Sequence, residues 1–218
     1  MNPLRQWYLL KKLTSQSVES RGTAARCLGG AGDLELLHKA IAVADRKCDR
    51  DRITELVRSY LEVCEPAQVV ALYDASQTRT WCMEAHKVVD QKMISVGALA
   101  VDHLLALSNL PKKSDSLTKK RREKAMDLLG FMRDMRAIRP MIDILLKDRA
   151  ETQAAHALAN LRIADPIAFK QAAQGYTEEE MVLLHKATVL VIEDAYTKYR
   201  PGKKWLEEYY LPGETRIL

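Results

Sequence analysis

Residues 24–37 read AARCLGGAGDLELL, and residues 124–138 read KAMDLLGFMRDMRAI. Each segment begins with small and apolar residues at helical spacing, passes through a Leu-Gly pair, and reaches an aspartate before a second amphipathic pattern. The leucines of the two pairs, Leu28 and Leu129, are 101 positions apart, which accommodates three units of about 34 residues. The sequence therefore predicts repeated helix pairs.

The repeated unit gives a physical role to its glycines and aspartates. Gly29 and Gly130 lack a Cβ where the first helix is expected to end, which favours a tight turn. Asp33 and Asp134 are predicted to cap the helix that follows. Because one helix pair cannot bury its apolar stripe alone, successive pairs are expected to stack into a continuous core.

Weaker copies of the unit and helix-start signals fill much of the remaining chain. Residues 100–107 resemble residues 137–144 at an offset of 37, and residues 154–161 begin another unit. Helix starts are predicted at Asp165-Pro166, at the capping box Thr177–Glu180, and at the first-turn prolines Pro66 and Pro140.

The composition favours helix over sheet. Of 218 residues, 47% are hydrophobic and 29% charged, with only 9 Gly and 7 Pro. No apolar run reaches the ~18 residues of a membrane span, and residues 1–13 are too short for a signal-peptide core. We therefore expect a cytoplasmic protein. The four cysteines are expected to be reduced and in or near a core, with a disulfide or metal cluster as the alternative: Cys27, Cys48, Cys64 and Cys82.

These segments resemble HEAT repeats, particularly the short bacterial HEAT-like units also found in phycobilisome-lyase-type proteins. The resemblance is best at residues 21–46 and 124–164 and weaker at 50–109. It implies an all-α fold, a right-handed α-solenoid of antiparallel helix pairs related to the ARM-type superhelix. The chain departs from the pattern at the connector 109–118 and at Ile163-Ala164.

The chain is predicted to form one domain over residues 1–218. The C-terminal aromatic residues at 196–211 and the Trp7-Tyr8 segment are expected to close the two ends, and an interaction surface is the alternative for the tail. The predicted parts are an N-terminal cap at 1–20, first repeats at 21–109, a connector at 110–118, further repeats at 119–175 and capping helices at 176–218.

No arrangement of residues indicates catalysis, so an enzyme is the less favoured class. His86 and Asp90 would share a helical face, but without an HExxH motif an ordinary exposed pair is preferred to a metal site. The glycines at 29–32 lack the features of a nucleotide-binding loop, and no GxSxG elbow is present. We expect no cofactor and no metal. Packed or boundary positions are expected for His38, His103, His156 and His185.

The positive charge is concentrated in one segment. Residues 112–149 hold 12 Lys and Arg against six Asp and Glu, a net +6, whereas the other 180 residues carry −1. Such a segment suits phosphates or an acidic protein surface, and a solvated helix face is the alternative. The candidate binding residues are Lys119, Lys120, Arg121 and Arg122, expected in a turn, and Arg133, Arg136 and Arg139 near the next turn.

The sequence favours a non-enzymatic HEAT-like scaffold or adaptor that binds a protein or peptide along its repeat surface. Nucleic-acid recognition through the 112–149 segment is the alternative, because the repeats also resemble those of HEAT-like DNA alkylation-repair glycosylases. The Trp/Asp site that this second resemblance implies is not evident, since Asp90 lies nine positions after Trp81. Aromatic residues that could stack on bases are also scarce near the basic run at 119–122, because Phe131 alone follows closely and is expected in the core. A chromophore-lyase-like role has only the repeat resemblance in its favour.

Overall fold

A computed structural model of the protein describes residues 2–78, 81–112, 115–148 and 152–199. All regular secondary structure in these residues is helical, which confirms the predicted all-α class. None of their helices combines the length and apolarity that crossing a bilayer requires. The helices are α1 Pro3–Leu13, α2 Val18–Ala31, α3 Leu34–Asp45, α4 Arg50–Leu61, α5 Pro66–Gln77, α6 Met83–Val96, α7 Ala98–Ser108, α8 Ser116–Met132, the 3-10 helix Met135–Ala137, α9 Ile138–Lys147, α10 Thr152–Ala164, α11 Pro166–Ala172 and α12 Glu178–Tyr199.

The predicted helix starts are confirmed. Asp33 caps α3 by accepting the backbone N–H of Leu36 at 3.0 Å. Asp134 accepts the backbone N–H of Arg136 at 3.0 Å and begins the 3-10 helix that leads into α9. The remaining signals also lie in the first turns of helices: Pro66 in α5, Pro140 in α9, Asp165-Pro166 at α11 and the capping box Thr177–Glu180 at α12.

The helices group into two units, Met1–Ala100 and Val101–Leu218, and the boundary between them falls within α7. In the first unit, α2 packs along α4 and α4 packs along α6, while α1 and α3 contact α2. In the second unit, α8 packs along α10 and α10 packs along α12, while α9 contacts both α10 and α12. The extensive contacts of each unit therefore join helices that are close in chain order.

Each unit has its own apolar core. In the first unit, Leu28 of α2 and Leu56 of α4 are fully buried. In the second unit, Leu129 of α8 and Leu158 of α10 are fully buried, and Ile142 of α9 joins them. Burial of these apolar side chains is the main favourable contribution to folding of each unit.

The predicted tight turns at Gly29 and Gly130 are wrong, because both glycines lie inside helices. Helix α2 continues to Ala31 and is followed by Gly32, whose φ is 67°. Helix α8 continues to Met132 and is followed by Arg133, whose φ is 54°. The left-handed residues that end the two helices are thus again 101 positions apart, three residues after each glycine.

Gly29 and Gly130 instead permit close contact between neighbouring helices. A Cβ on Gly29 would overlap the backbone carbonyl oxygen of Tyr60 in α4. A Cβ on Gly130 would lie 2.7 Å from the Cα atom of Ala157 in α10. Since no side chain tolerates such distances, glycine is required at both positions by the adjacent helix and not by a turn.

Two surface predictions also need correction. The cysteines are free, as expected, but Cys27 and Cys48 are exposed and only Cys64 and Cys82 are partly buried. At the N-terminus, α1 packs through Leu9 and Leu13, whereas Trp7 and Tyr8 of the segment expected to close this end are exposed. The tail at 196–211 lies outside the residues whose side chains the structure describes.

We predict that Gly29→Ala destabilises the protein by about 1–3 kcal/mol, because the added methyl group forces α2 away from α4. Gly30→Ala is the matched control, since a Cβ at this neighbouring helical residue meets nothing within 4 Å. Because alanine has a higher helix propensity than glycine, Gly30→Ala should stabilise the protein by about 0.5–1 kcal/mol. Urea unfolding followed by circular dichroism measures both variants, and equal stabilities would contradict the close contact.

Candidate binding surface

The seven basic residues proposed from the sequence fall into two groups. Residues 119–122 were expected in a turn, but they lie within the first two turns of α8. Arg133 follows the C-terminus of α8, and Arg136 and Arg139 lie in the 3-10 helix and α9. At a rise of about 1.5 Å per residue, about 16 Å of helix separates Arg122, at the end of the first group, from Arg133, at the start of the second.

Arg122 in the first group is a core residue, with only 3% of its surface exposed. Its Nε donates a hydrogen bond to the backbone oxygen of Ser108 at 3.0 Å, and its guanidinium pairs with the carboxylate of Asp148. Lys119 is exposed and lies 3.7 Å from the carboxylate of Glu123, and Lys120 is exposed beside it. One of the four positive charges at residues 119–122, that of Arg122, is therefore buried.

The buried Arg122 has a counterpart 101 positions earlier, which the sequence analysis missed. Arg21 in α2 is also buried, and it donates hydrogen bonds to the backbone oxygens of Ser15 and Gln16 at 2.9 and 2.8 Å. It pairs with the carboxylate of Glu55 at 2.5 Å. Both arginines thus connect a helix to backbone oxygens of the segment that precedes it and to a later carboxylate.

A cleft of about 490 Å³ lies beside Arg122 in the second unit. Lys112 and Lys147 line it together with Asp143 and Asp148. Lys112 Nζ donates a hydrogen bond to the backbone oxygen of Asp148 at 2.9 Å. Because both basic and acidic side chains line the cleft, it does not present a uniformly positive field to an anion.

The second group of basic residues is fixed by neighbouring side chains. Arg136 donates hydrogen bonds to the carboxylates of Asp134 at 2.9 Å and Asp102 at 3.0 Å. The hydrogen bonds from Arg136 hold the pKa of Asp134 below its usual value, although burial opposes this effect. The Arg139 guanidinium lies 5.6 Å from the ring centre of Tyr176. These contacts orient both guanidinium groups at the surface.

Tyr176 connects Arg139 to a carboxylate of α9. The phenol donates a hydrogen bond to Asp143 Oδ1 at 2.6 Å. Burial, together with the hydrogen bond to Asp143, raises the pKa of Tyr176 to about 12. The phenol therefore remains protonated and uncharged beneath the guanidinium at neutral pH.

Phe131 was expected in the core, but it is 62% exposed. Phe131 lies nine residues after Arg122 in α8, and nine residues correspond to a net rotation of half a turn about the helix axis. The two side chains therefore lie on opposite faces of α8, so the face opposite the buried Arg122 is the exposed one. Phe131 and the second group of arginines lie within nine residues of sequence. We refer to Phe131, Arg133, Arg136 and Arg139 as the α8–α9 turn surface.

The residues considered for metal or base chemistry lie elsewhere. Trp81 is 9% exposed, and its ring lies 6.0 Å from that of His38 and 6.1 Å from that of His86. Asp90 is buried. Within the described part of the chain, no group of three or more His, Cys, Asp or Glu side chains is arranged to hold a metal ion. His103 is partly buried and His156 is exposed.

No protein-family model matches the chain, and no curated protein matches its sequence. The geometry of the α8–α9 turn surface is therefore the starting point for a functional proposal.

We predict that Arg122→Met destabilises the protein by about 3 kcal/mol, because it leaves the carboxylate of Asp148 without its buried partner. Lys120→Met, an equivalent change two residues away, should alter the stability by less than about 0.5 kcal/mol because Lys120 is exposed. Urea unfolding of the two variants measures both effects. Similar stabilities would show that Arg122 behaves as a surface residue.

Proposed function

We propose that the protein is a HEAT-like scaffold, an α-solenoid of antiparallel helix pairs that binds a protein or peptide partner. Extensive contacts between helices close in chain order support this proposal, since repeat proteins stack each unit on its neighbours. Roles that recur at an interval of 101 residues support it further. They are the buried arginines Arg21 and Arg122, the contact glycines Gly29 and Gly130, the left-handed residues Gly32 and Arg133, and the capping aspartates Asp33 and Asp134.

The observation that carries the binding proposal is the exposure of Phe131, which three exposed arginines follow within eight residues of the chain. Aromatic residues and arginine are enriched at the centres of protein interfaces and among the residues that dominate their affinity. The exposed ring offers apolar contact area, and the guanidinium groups favour carboxylates. The α8–α9 turn surface therefore suits an acidic segment of a partner protein that also carries an apolar side chain.

The contacts that restrain Arg136 and Arg139 also favour binding of a partner. Arg136 is held by two carboxylates, and Arg139 is held over Tyr176. Because these long side chains already have restricted freedom, a partner loses less conformational entropy when it binds them. Asp134 and Asp102 neutralise part of the charge, so the surface selects a partner by geometry as well as by charge.

We predict that Phe131→Ala weakens binding of the partner by about 2 kcal/mol, which is about thirtyfold in Kd. The partner would be captured from the native host with the wild-type protein, purified, and measured by isothermal titration calorimetry. Met83→Ala is the matched control, because Met83 is also an exposed apolar residue at 65% and lies in the other unit. Equal affinity of the wild type and Phe131→Ala would contradict the proposal.

Nucleic-acid binding is a second candidate, and the exposed ring of Phe131 is the observation that favours it. An exposed aromatic ring next to arginines can stack on a base, which the expected buried position would have prevented. Lys119 and Lys120 are also exposed. This candidate places the nucleic acid along α8.

If nucleic acid binds there, Phe131→Ala should weaken binding of single-stranded oligonucleotides by about 1–3 kcal/mol. Neutralising Lys119 and Lys120 should reduce the dependence of affinity on salt, since fewer counterions are then released. Fluorescence anisotropy over a salt series, with single-stranded and duplex DNA, measures both quantities. Absence of binding at low salt would eliminate this candidate.

A further inference from the structure

Helix α1 exposes an apolar and basic face. Leu4, Trp7 and Tyr8 are 76%, 62% and 51% exposed, and Lys11 completes the i, i+3, i+4, i+7 spacing of one helical face. The Lys11 Nζ atom lies 5.3 Å from the centre of the Trp7 ring. The helix also contains Arg5 and Lys12 and has no acidic residue. We call Leu4, Trp7, Tyr8 and Lys11 the α1 face.

Helix α12 exposes an apolar face with acidic residues at its start. Val182 and Leu183 are 53% and 40% exposed, while Leu184 and Thr188 on the other side of the helix are buried. Glu178 and Glu179 are exposed in the first turn, and Glu180 takes part in the capping box with Thr177. We call Glu179, Val182, Leu183 and Lys186 the α12 face.

The two faces have the same spacing in opposite chain directions. The α1 face consists of Lys11 and the residues three, four and seven positions before it. The α12 face consists of Glu179 and the residues three, four and seven positions after it. Antiparallel helices would thus place Lys11 opposite Glu179, Tyr8 opposite Val182 and Trp7 opposite Leu183. We propose that the α1 face of one copy of this chain binds the α12 face of a second copy.

Charge favours this pairing. Helix α1 has no acidic residue, so two α1 faces in contact would bring only positive charges together, whereas the mixed pairing places the Lys11 end of α1 against the glutamates at the start of α12. Two antiparallel α12 faces would place Glu179 opposite Lys186, and reversal of the charges at Lys11 and Lys12 distinguishes such a pair because it would leave that pair unchanged. Because each copy uses two different surfaces, the contact is heterologous and extends into a chain of molecules or closes into a ring.

The contact is expected to be weak and dependent on concentration. One helix laid on another covers less than the about 1,200–2,000 Å² that stable protein interfaces bury. The association uses neither the α8–α9 turn surface nor its partner, so it can be tested in the purified protein alone. Analytical ultracentrifugation of the full chain over a concentration series measures it directly.

Two charge-reversed variants test the pairing. The first carries Lys11→Glu and Lys12→Glu, and the second carries Glu178→Lys and Glu179→Lys. Each variant alone should associate at least about tenfold more weakly than the wild type, because like charges then meet at the contact. An equimolar mixture should regain association to within about twofold of the wild type, since the glutamates of one variant meet the lysines of the other.

Matched controls separate this contact from general effects of charge and folding. Lys87→Glu is a reversal at another exposed lysine of the first unit, and Glu84→Lys is a reversal in the first turn of another helix, α6. Both should associate like the wild type, and circular dichroism should show native helix content for all variants. A wild type that is monomeric at every concentration overturns the proposal. It is also overturned if the mixture fails to regain association or if the controls weaken it equally.

Discussion

The packing of this protein depends on two places where neighbouring helices approach so closely that a methyl group would not fit between them. Gly29 lies against the backbone of Tyr60, and Gly130 lies against Ala157. At the first contact, Arg21 and Glu55 form an ion pair between the same two helices, α2 and α4. The glycine sets the distance between the helices, and the ion pair restricts how they slide along each other. Together they fix the relative positions of the apolar side chains between them.

Burial of arginine at equivalent positions explains why the net charge of a segment is a poor guide to its surface. A guanidinium loses much hydration free energy on burial, so it is retained only where carbonyl oxygens and a carboxylate replace the water. Arg21 and Arg122 both have such partners. The +6 charge of residues 112–149 is therefore divided between an internal ion pair, salt bridges at the surface and the exposed remainder.

The sequence predicted what local chemistry determines and missed what the neighbouring helix determines. Caps such as Asp33 and Asp165 form hydrogen bonds within three residues, so the local sequence is sufficient to identify them. The role of Gly29 depends on Tyr60, 31 residues later, and no local signal reports that contact. Arg122 was expected at the surface and Phe131 in the core, and the structure shows the opposite. A run of consecutive basic residues does not indicate which face of the helix is buried. The sequence feature that could have indicated an equivalent role for these two arginines was the interval of 101 residues between Arg21 and Arg122.

The exposed apolar residues have different physical origins, which bears on what each surface does. Where helices pack mainly on neighbours in chain order, the first and last helices of the described residues, α1 and α12, have described neighbours on fewer sides. The exposed apolar faces of α1 and α12 agree with that arrangement, and the lysines of α1 are complementary to the glutamates in the first turn of α12. Phe131 belongs to an interior helix that is packed along its opposite face, so the same explanation does not apply to it. An exposed ring that packing does not require, close in the chain to two arginines oriented by neighbouring side chains, favours the proposal of a different partner. The two proposed associations, one between copies and one with another molecule, therefore rest on separate surfaces.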